Sequence, residues 1–258
     1  MILERIYDLA EPRLKERKIK DVRVGLHLMS VELDTGEIGV TYVLRKELGD
    51  ICMPFRQVGG LVGMPAREVA EWSLERKNVI STSLGLAVLN SAAEFDKLKQ
   101  VNNPQGVDAA FSVEIRDTDN IGIIGHIGPI INRLRDKKDR MFVFERGDNV
   151  NGQVYPESEE QKLLPKCQVV FITSSTLING TLENVLNYCS SAREVVMVGS
   201  TTPLYPEAFT ASGVTVLSGT RWLTSNKDSI FENISQCAGM KQLIKYGQKV
   251  SVRISRDS

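Results

Sequence analysis

Histidine and cysteine, the side chains that most often hold soft metals, are scarce in this chain. There are two histidines, His27 and His126, and four cysteines at Cys52, Cys167, Cys189 and Cys237. No C-x-x-C pair or Cys/His cluster occurs, which argues against a structural zinc site. Charge of one sign is also missing: Lys plus Arg equals Asp plus Glu at 32 each. No net positive field therefore draws the chain to nucleic acid or to an anionic membrane. Aromatics make up 6% of the residues and are not interleaved with basic runs, which further excludes nucleic acid as a partner. No apolar run approaches the length of a membrane span. The N-terminus carries charge from Glu4 and has no apolar h-region, so a reducing cytoplasm is the expected compartment.

What is present is strand and helix patterning. Ile2, Leu3, Ile6 and Leu9 have helical spacing, with Pro12 expected to kink or restart that helix. Two β-rich runs, Val22 to Leu33 and Ile38 to Leu44, are joined by Asp34-Thr-Gly-Glu37, a hairpin signal. An irregular segment holding Cys52, Pro54, Arg56, Gly59, Gly60 and Gly63 leads to Pro65, which suits the first turn of a helix reaching about Lys77. The next helix, about Ile80 to Lys97, is rich in Ser, Gly and Ala and carries Asn90. Small side chains let another backbone approach, so this helix is expected at the centre of its domain. A polar, turn-rich passage from Lys97 to Asn120 then separates an α+β module, residues 1–105, from the remainder, 106–258.

Beyond that passage, apolar runs at 121–125, 141–145, 168–172, 195–199 and 214–217 alternate with helical segments. This spacing implies right-handed crossovers and a mostly parallel sheet. The fold class is therefore α/β, with an α+β domain followed by a parallel-sheet domain. Asn226 to Tyr246 offers two further helices.

In such a sheet, ligands bind beyond the carboxyl ends of the strands. Those ends are Gly125-His-Ile-Gly-Pro129, Phe144-Glu-Arg-Gly147, Thr173-Ser-Ser-Thr-Leu-Ile-Asn-Gly-Thr181, Gly199-Ser-Thr-Thr-Pro203 and Ser218-Gly-Thr-Arg221. Loops rich in Gly, Ser and Thr offer N–H and O–H donors together, which suits an anionic ligand. Glu145 stands twenty residues after Gly125, where a carboxylate accepts hydrogen bonds from a ribose diol. Against that, the glycines read Gly122-x-x-Gly125-x-x-Gly128, which breaks the dinucleotide fingerprint. His126, at the head of the first turn, is a candidate metal ligand, proton-transfer group or anion contact. His27 reads as a packed or edge residue of a strand. Cys52 lies in a segment placed to fold over the pocket, while Cys167, Cys189 and Cys237 read as structural.

Together, Gly125-His-Ile-Gly-Pro129, Ile172-Thr-Ser-Ser-Thr-Leu-Ile-Asn-Gly-Thr-Leu-Glu183, Val198-Gly-Ser-Thr-Thr-Pro-Leu-Tyr-Pro206 and Ser83-Leu-Gly-Leu-Ala-Val-Leu-Asn-Ser91 resemble a prokaryotic family of unknown function named for heavy-metal chelation. The resemblance spans nearly the whole chain. It implies an N-terminal domain like that of enolase, a Rossmann-like C-terminal domain and a site between them. By position it implies the ligand-binding residues Gly125, His126, Gly128, Glu145, Ser174, Ser175, Asn179, Thr181, Glu183, Ser200, Thr201 and Thr202. Asn90 and Arg56 would join them from the first domain, and His126 and Cys52 would be the metal ligands.

Three readings follow. The chain binds a small anionic ligand, a divalent metal or a metal complex in an interdomain cleft. Alternatively, it is an enzyme using a nucleotide or S-adenosylmethionine-like cofactor, with His126 or Cys52 as the reacting group. The third is a scaffold whose loops only cap helices. A homodimer is the default assembly.

Overall fold

The computed structural model describes residues 1–49, 53–99, 112–146 and 154–254. The expected boundary near residue 105 lies outside them. The first helix, α1 (Ile2–Leu14), buries Ile2, Leu3, Ile6, Ala10 and Leu14 along one stripe. It runs through Pro12 without restarting, since a proline in the last turn forfeits one hydrogen bond at the fraying end.

Strands β1 (Ile19–Val24), β2 (Leu28–Leu33) and β3 (Ile38–Tyr42) form an antiparallel sheet in that order. The run from Val22 to Leu33 is thus two strands. The chain reverses between them, and the Gly25 N–H donates to the Leu28 carbonyl at 2.9 Å. Helix α2 (Ala66–Glu75) follows Pro65 as expected, and α3 (Val79–Ser91) begins where the Asn78 side chain accepts the Ile80 and Ser81 N–H groups. Helix α3 stops at Ser91, short of Lys97, and is buried from Ile80 onward. Its small residues set a very close contact with β3. A Cβ added at Gly39 would lie 1.8 Å from the Ala87 carbonyl oxygen.

The second sheet has seven strands: β4 (Ile121–Ile124), β5 (Met141–Glu145), β6 (Val154–Pro156), β7 (Val169–Thr173), β8 (Glu194–Val198), β9 (Val216–Trp222) and β10 (Gly247–Arg253). Their order is β10-β9-β8-β7-β4-β5-β6. Only β10 is antiparallel to its neighbour. The expected apolar runs became β4, β5, β7, β8 and β9. The two edge strands are additional, because an edge strand needs less apolar sequence than a central one. Between β4 and β8 lie α4 (Gly128–Arg133), α5 (Glu160–Leu163), α6 (Ser175–Ile178) and α7 (Leu182–Tyr188). The helix expected near 204–212 is a single 3-10 turn, Pro206–Phe209. After β9 come α8 (Lys227–Ser235) and α9 (Met240–Leu243).

From β4 the chain winds outward to β5 and β6, then returns to β7 on the other side of β4. That reversal opens a crevice beyond the carboxyl ends of β4 and β7. The two sheets share a core. One buried cluster runs from α1, α2 and α3 to β7, β8 and α7. Helix α8 crosses to the opposite face of the first sheet, packing Ile230, Phe231 and Ile234 with Leu28, Ile38 and Val40. Lys227 of α8 and Lys20 of β1 both reach the buried Glu32, at 3.5 and 3.0 Å. Among the described residues, no helix is long and apolar enough to cross a membrane.

The contact between β3 and α3 yields a direct test. Gly39→Ala is expected to destabilise the protein by about 1–3 kcal/mol, since the methyl group meets backbone that cannot yield easily. Denaturant unfolding checks this: an unchanged midpoint would mean that β3 and α3 are not in backbone contact.

Candidate functional site

The carboxyl ends of β4, β5, β7, β8 and β9 face the segment after β3, and together they enclose a cleft of about 1150 Å³. From the first sheet it is lined by His27 and Tyr42 to Glu47. From the end of the chain it is lined by Met240, Lys241, Ile244 and Lys249. Ile124, Ile127, Phe144, Val198 and Leu44 give it an apolar body.

The turn after β4 does not offer the N–H donors that its glycines suggest. Gly125 has φ +85°, and a Cβ there would meet Thr173 Cγ2 at 2.9 Å, so glycine is required. Every N–H of the turn is taken internally. Gly125 donates to the Phe144 carbonyl at 2.8 Å, Ile127 to that of Gly125 at 2.9 Å and Gly128 to that of His126 at 3.1 Å. The His126 N–H donates to Glu145 Oε2 at 2.8 Å, and the other oxygen of Glu145 accepts the Arg146 N–H at 3.2 Å. The turn is closed by its own acid, and α4 behind it has only six residues.

Of the residues expected at the site, Gly125, His126, Gly128, Glu145, Ser175, Asn179, Thr181 and Ser200 line the cleft. Asn179 donates to Glu47 Oε1 at 3.3 Å and accepts the Thr181 hydroxyl at 2.8 Å. Ser200 is buried beside the Tyr42 phenol, and among the described residues its hydroxyl has no other hydrogen-bond partner. Burial raises the proton affinity of that phenol, and Ser200 opposes the rise.

Six others do not line the cleft. Ser174 donates to the Val198 carbonyl at 2.8 Å and sits 2.7 Å from the Thr202 hydroxyl, so each satisfies the other in the interior. Thr201 is fully buried; its hydroxyl accepts the Tyr42 N–H at 3.0 Å, and its carbonyl accepts the Asn90 amide at 3.1 Å. Glu183 accepts the Ile2 N–H at 3.3 Å. Arg56 is exposed elsewhere. Thr201, Asn90 and Glu183 thereby join the two halves of the molecule. Cys52 lies outside the described residues. Cys167 and Cys189 are buried, and burial pushes each thiol up to about 12, whereas Cys237 is exposed. Among the described residues no three His, Cys, Asp or Glu side chains come together as a bare metal ion would need.

Several lining residues carry no motif. Arg45, Lys46, Lys241 and Lys249 sit on the exposed rim with no ionic partner among the described residues. Lys46 donates only to the Arg146 carbonyl, at 3.4 Å. Arg146 is paired with Glu47 at 3.1 Å and Glu157 at 2.8 Å. His27 also lines the cleft rather than packing in a strand. Glu160 of α5 is 6% exposed and lines the cleft, and among the described residues its side chain has neither hydrogen bond nor ion pair. Burial pushes its carboxyl up to about 7, with Glu157 adding to the rise and Arg146 opposing it.

Fold and cleft together define an α/β protein with a ligand-sized crevice walled by both sheets. Residues 108–253 match the DUF364 family, described as "Putative heavy-metal chelation", and residues 7–93 match DUF4213, described in the same words. The chain belongs to the DUF364 family. It is 31% identical over 157 residues to an uncharacterized protein of Methanocaldococcus jannaschii, a stretch covering 60% of this chain and 60% of that protein. Two crystal structures of DUF364 proteins of unknown function share the fold. That from Pyrococcus horikoshii has a TM-score of 0.79 at 22% identity, with 98% of this chain and 100% of that one covered. That from Desulfitobacterium hafniense has a TM-score of 0.73 at 20% identity, covering 97% and 98%.

The buried carboxyl makes a stability prediction whose sign is fixed by linkage. Between pH 4.5 and about 7 the folded state holds the Glu160 proton that the unfolded chain releases. Its contribution is therefore full below that window and is lost as pH rises through it. Glu160→Gln is expected to stabilise the protein at pH 8.5, by on the order of 1–2 kcal/mol after discounting for solvent in the cleft, and to be nearly neutral at pH 4.5. Thermal unfolding at the two pH values checks this.

Proposed function

We propose that this chain binds a small anionic ligand with an apolar body, or an anionic metal complex, in the cleft between its sheets. The observation that carries the reading is the rim of four cations, Arg45, Lys46, Lys241 and Lys249, that have no ionic partner among the described residues, around a partly apolar cavity. Placed at the mouth of such a cavity, each cation gains from a ligand anion the counter-charge that the described residues do not give it. The hydroxyls of Ser175, Ser200, Ser218 and Thr220 line the same space and supply further donors.

The family's description brings heavy metals into this reading, and the donor set decides their form. Without a three-donor cluster among the described residues, a bare soft metal finds no cage. A metal already wrapped by an acidic chelator needs only cations and hydroxyls, which are the groups at hand. His126 then serves as a contact at the mouth of the cleft. A nucleotide draws less support, because both oxygens of Glu145 already take backbone N–H groups of the chain itself.

Native mass spectrometry of protein purified without added ligand tests the proposal, with a denatured sample as reference. The expected result is a retained mass of small-molecule size, lost on denaturation and much reduced in Lys241→Ala/Lys249→Ala. Each exposed charge-assisted contact is worth up to about 1 kcal/mol, so losing two should weaken affinity by roughly tenfold. A retained mass that is equal in the double variant would overturn the assignment of the cleft.

A further inference from the structure

Among the described residues, Glu160 is the buried carboxyl on the cleft wall that no ion pair or hydrogen bond engages. It projects from a four-residue helix, α5, whose Leu163 is buried with it, and the following Leu164 is buried too. At 6% exposure neither of its carboxyl oxygens meets a donor among the described residues. A carboxylate buried without a partner is disfavoured, which pushes the group up to about 7, so it keeps its proton below that pH and loses it above. A neutral carboxyl has an O–H to donate, which a carboxylate lacks.

We propose that Glu160 is part of the ligand site as a protonated hydrogen-bond donor, taking an unprotonated oxygen of the ligand's acidic group: a carboxylate, sulfonate or phosphate oxygen. This rests on the anionic-ligand reading above and adds a specific partner and a specific consequence. Binding becomes proton-coupled. When Glu160 loses its proton, the donor becomes an acceptor facing an anion, and repulsion replaces a hydrogen bond.

The groups surrounding Glu160 are few enough to account for. Glu157, three residues earlier, raises its proton affinity, while Arg146 at the end of β5 lowers it. Those two are paired at 2.8 Å, so their net field is small. Glu159 and Lys162 pair with each other at 3.2 Å. From α7 and the turn that follows it, Glu183 is engaged by the Ile2 N–H, and Cys189, with its thiol pushed up to about 12, stays neutral. Tyr188 belongs to the same helix. After α5, Lys166 is exposed and Cys167 is a buried neutral thiol. His27 and His126 also line the cleft, so the test has to separate them from Glu160.

The experiment uses 8-anilinonaphthalene-1-sulfonate, whose sulfonate stays ionised at every working pH and whose rings suit the apolar lining. Its affinity is measured by fluorescence between pH 5.5 and 8.5. For the unaltered protein, affinity is expected to fall about tenfold as pH rises through 7. Glu160→Gln, which donates at every pH, should bind tightly with no slope. Glu160→Leu, which never donates, should bind weakly with no slope. His27→Gln and His126→Gln should keep the slope. Affinity that rises with pH, a slope that survives in Glu160→Gln, or tight binding by Glu160→Leu would overturn the assignment while leaving the cleft intact. Failure of the probe to bind at pH 5.5, with melting curves showing a folded protein, would overturn the cleft reading as well.

Discussion

The two halves of this molecule are held in register by a short run of buried hydroxyls after β8. Thr201 is at its centre, accepting the Tyr42 N–H at the end of β3 and, through its carbonyl, the Asn90 amide of α3. Neither group could be buried so completely without such a partner, because an unsatisfied amide or N–H in the interior costs about 1–3 kcal/mol. One turn therefore fixes the last strand of the first sheet and its covering helix against the second sheet. The Tyr205 hydroxyl, donating to the Leu89 carbonyl at 2.6 Å, repeats the same device at the adjacent residue of α3. The cleft exists because these ties hold β3 and the turn after it over the carboxyl edge of β4 and β7.

That arrangement explains which parts of the site the sequence could reveal. The alternation of apolar runs and helices located β4, β5, β7, β8 and β9, and strand order follows from rules of winding. Hence the position of the cleft edge was legible. The roles of its residues were less so. Ser174, Thr201 and Thr202 stand in a hydroxyl-rich loop like Ser175 and Ser200, yet they turn inward. Which way a Ser or Thr points depends on what the other half of the chain lays against it, and periodicity carries no such information. Asn90 is the clearest instance. Its polar amide in an apolar helix was a real signal, but its partner is a backbone carbonyl 111 residues away.

Other contributors had no local signature at all. Lys241 and Lys249 belong to α9 and β10, which pass the cleft only because α8 has first crossed to the far face of the first sheet. Glu160 sits in Glu157-Ser-Glu-Glu160, where nothing but its place relative to Leu163 and Leu164 marks it as the buried one. The glycine-rich turn after β4 misled in the opposite direction. Its composition promised donors, whereas Glu145 and the turn's own carbonyls consume every N–H. A local motif specifies a backbone shape; whether that shape faces a ligand or its own neighbours is settled by the next strand.

These facts bear on how a protein of this family would handle a metal. Grouping several anionic or soft donors in one cleft costs free energy in the absence of the ion, because like charges repel and must be desolvated. The described residues contain no such group. Instead, the acids at the cleft are each compensated: Glu145 by two N–H groups, Glu47 and Glu157 by Arg146, and Glu160 by retaining its proton. The cations on the rim are not compensated. A wall built that way has its negative charge neutralised and its positive charge left available. Electrostatically it is the complement of an anion, and it would accommodate a metal most readily when the metal arrives inside one.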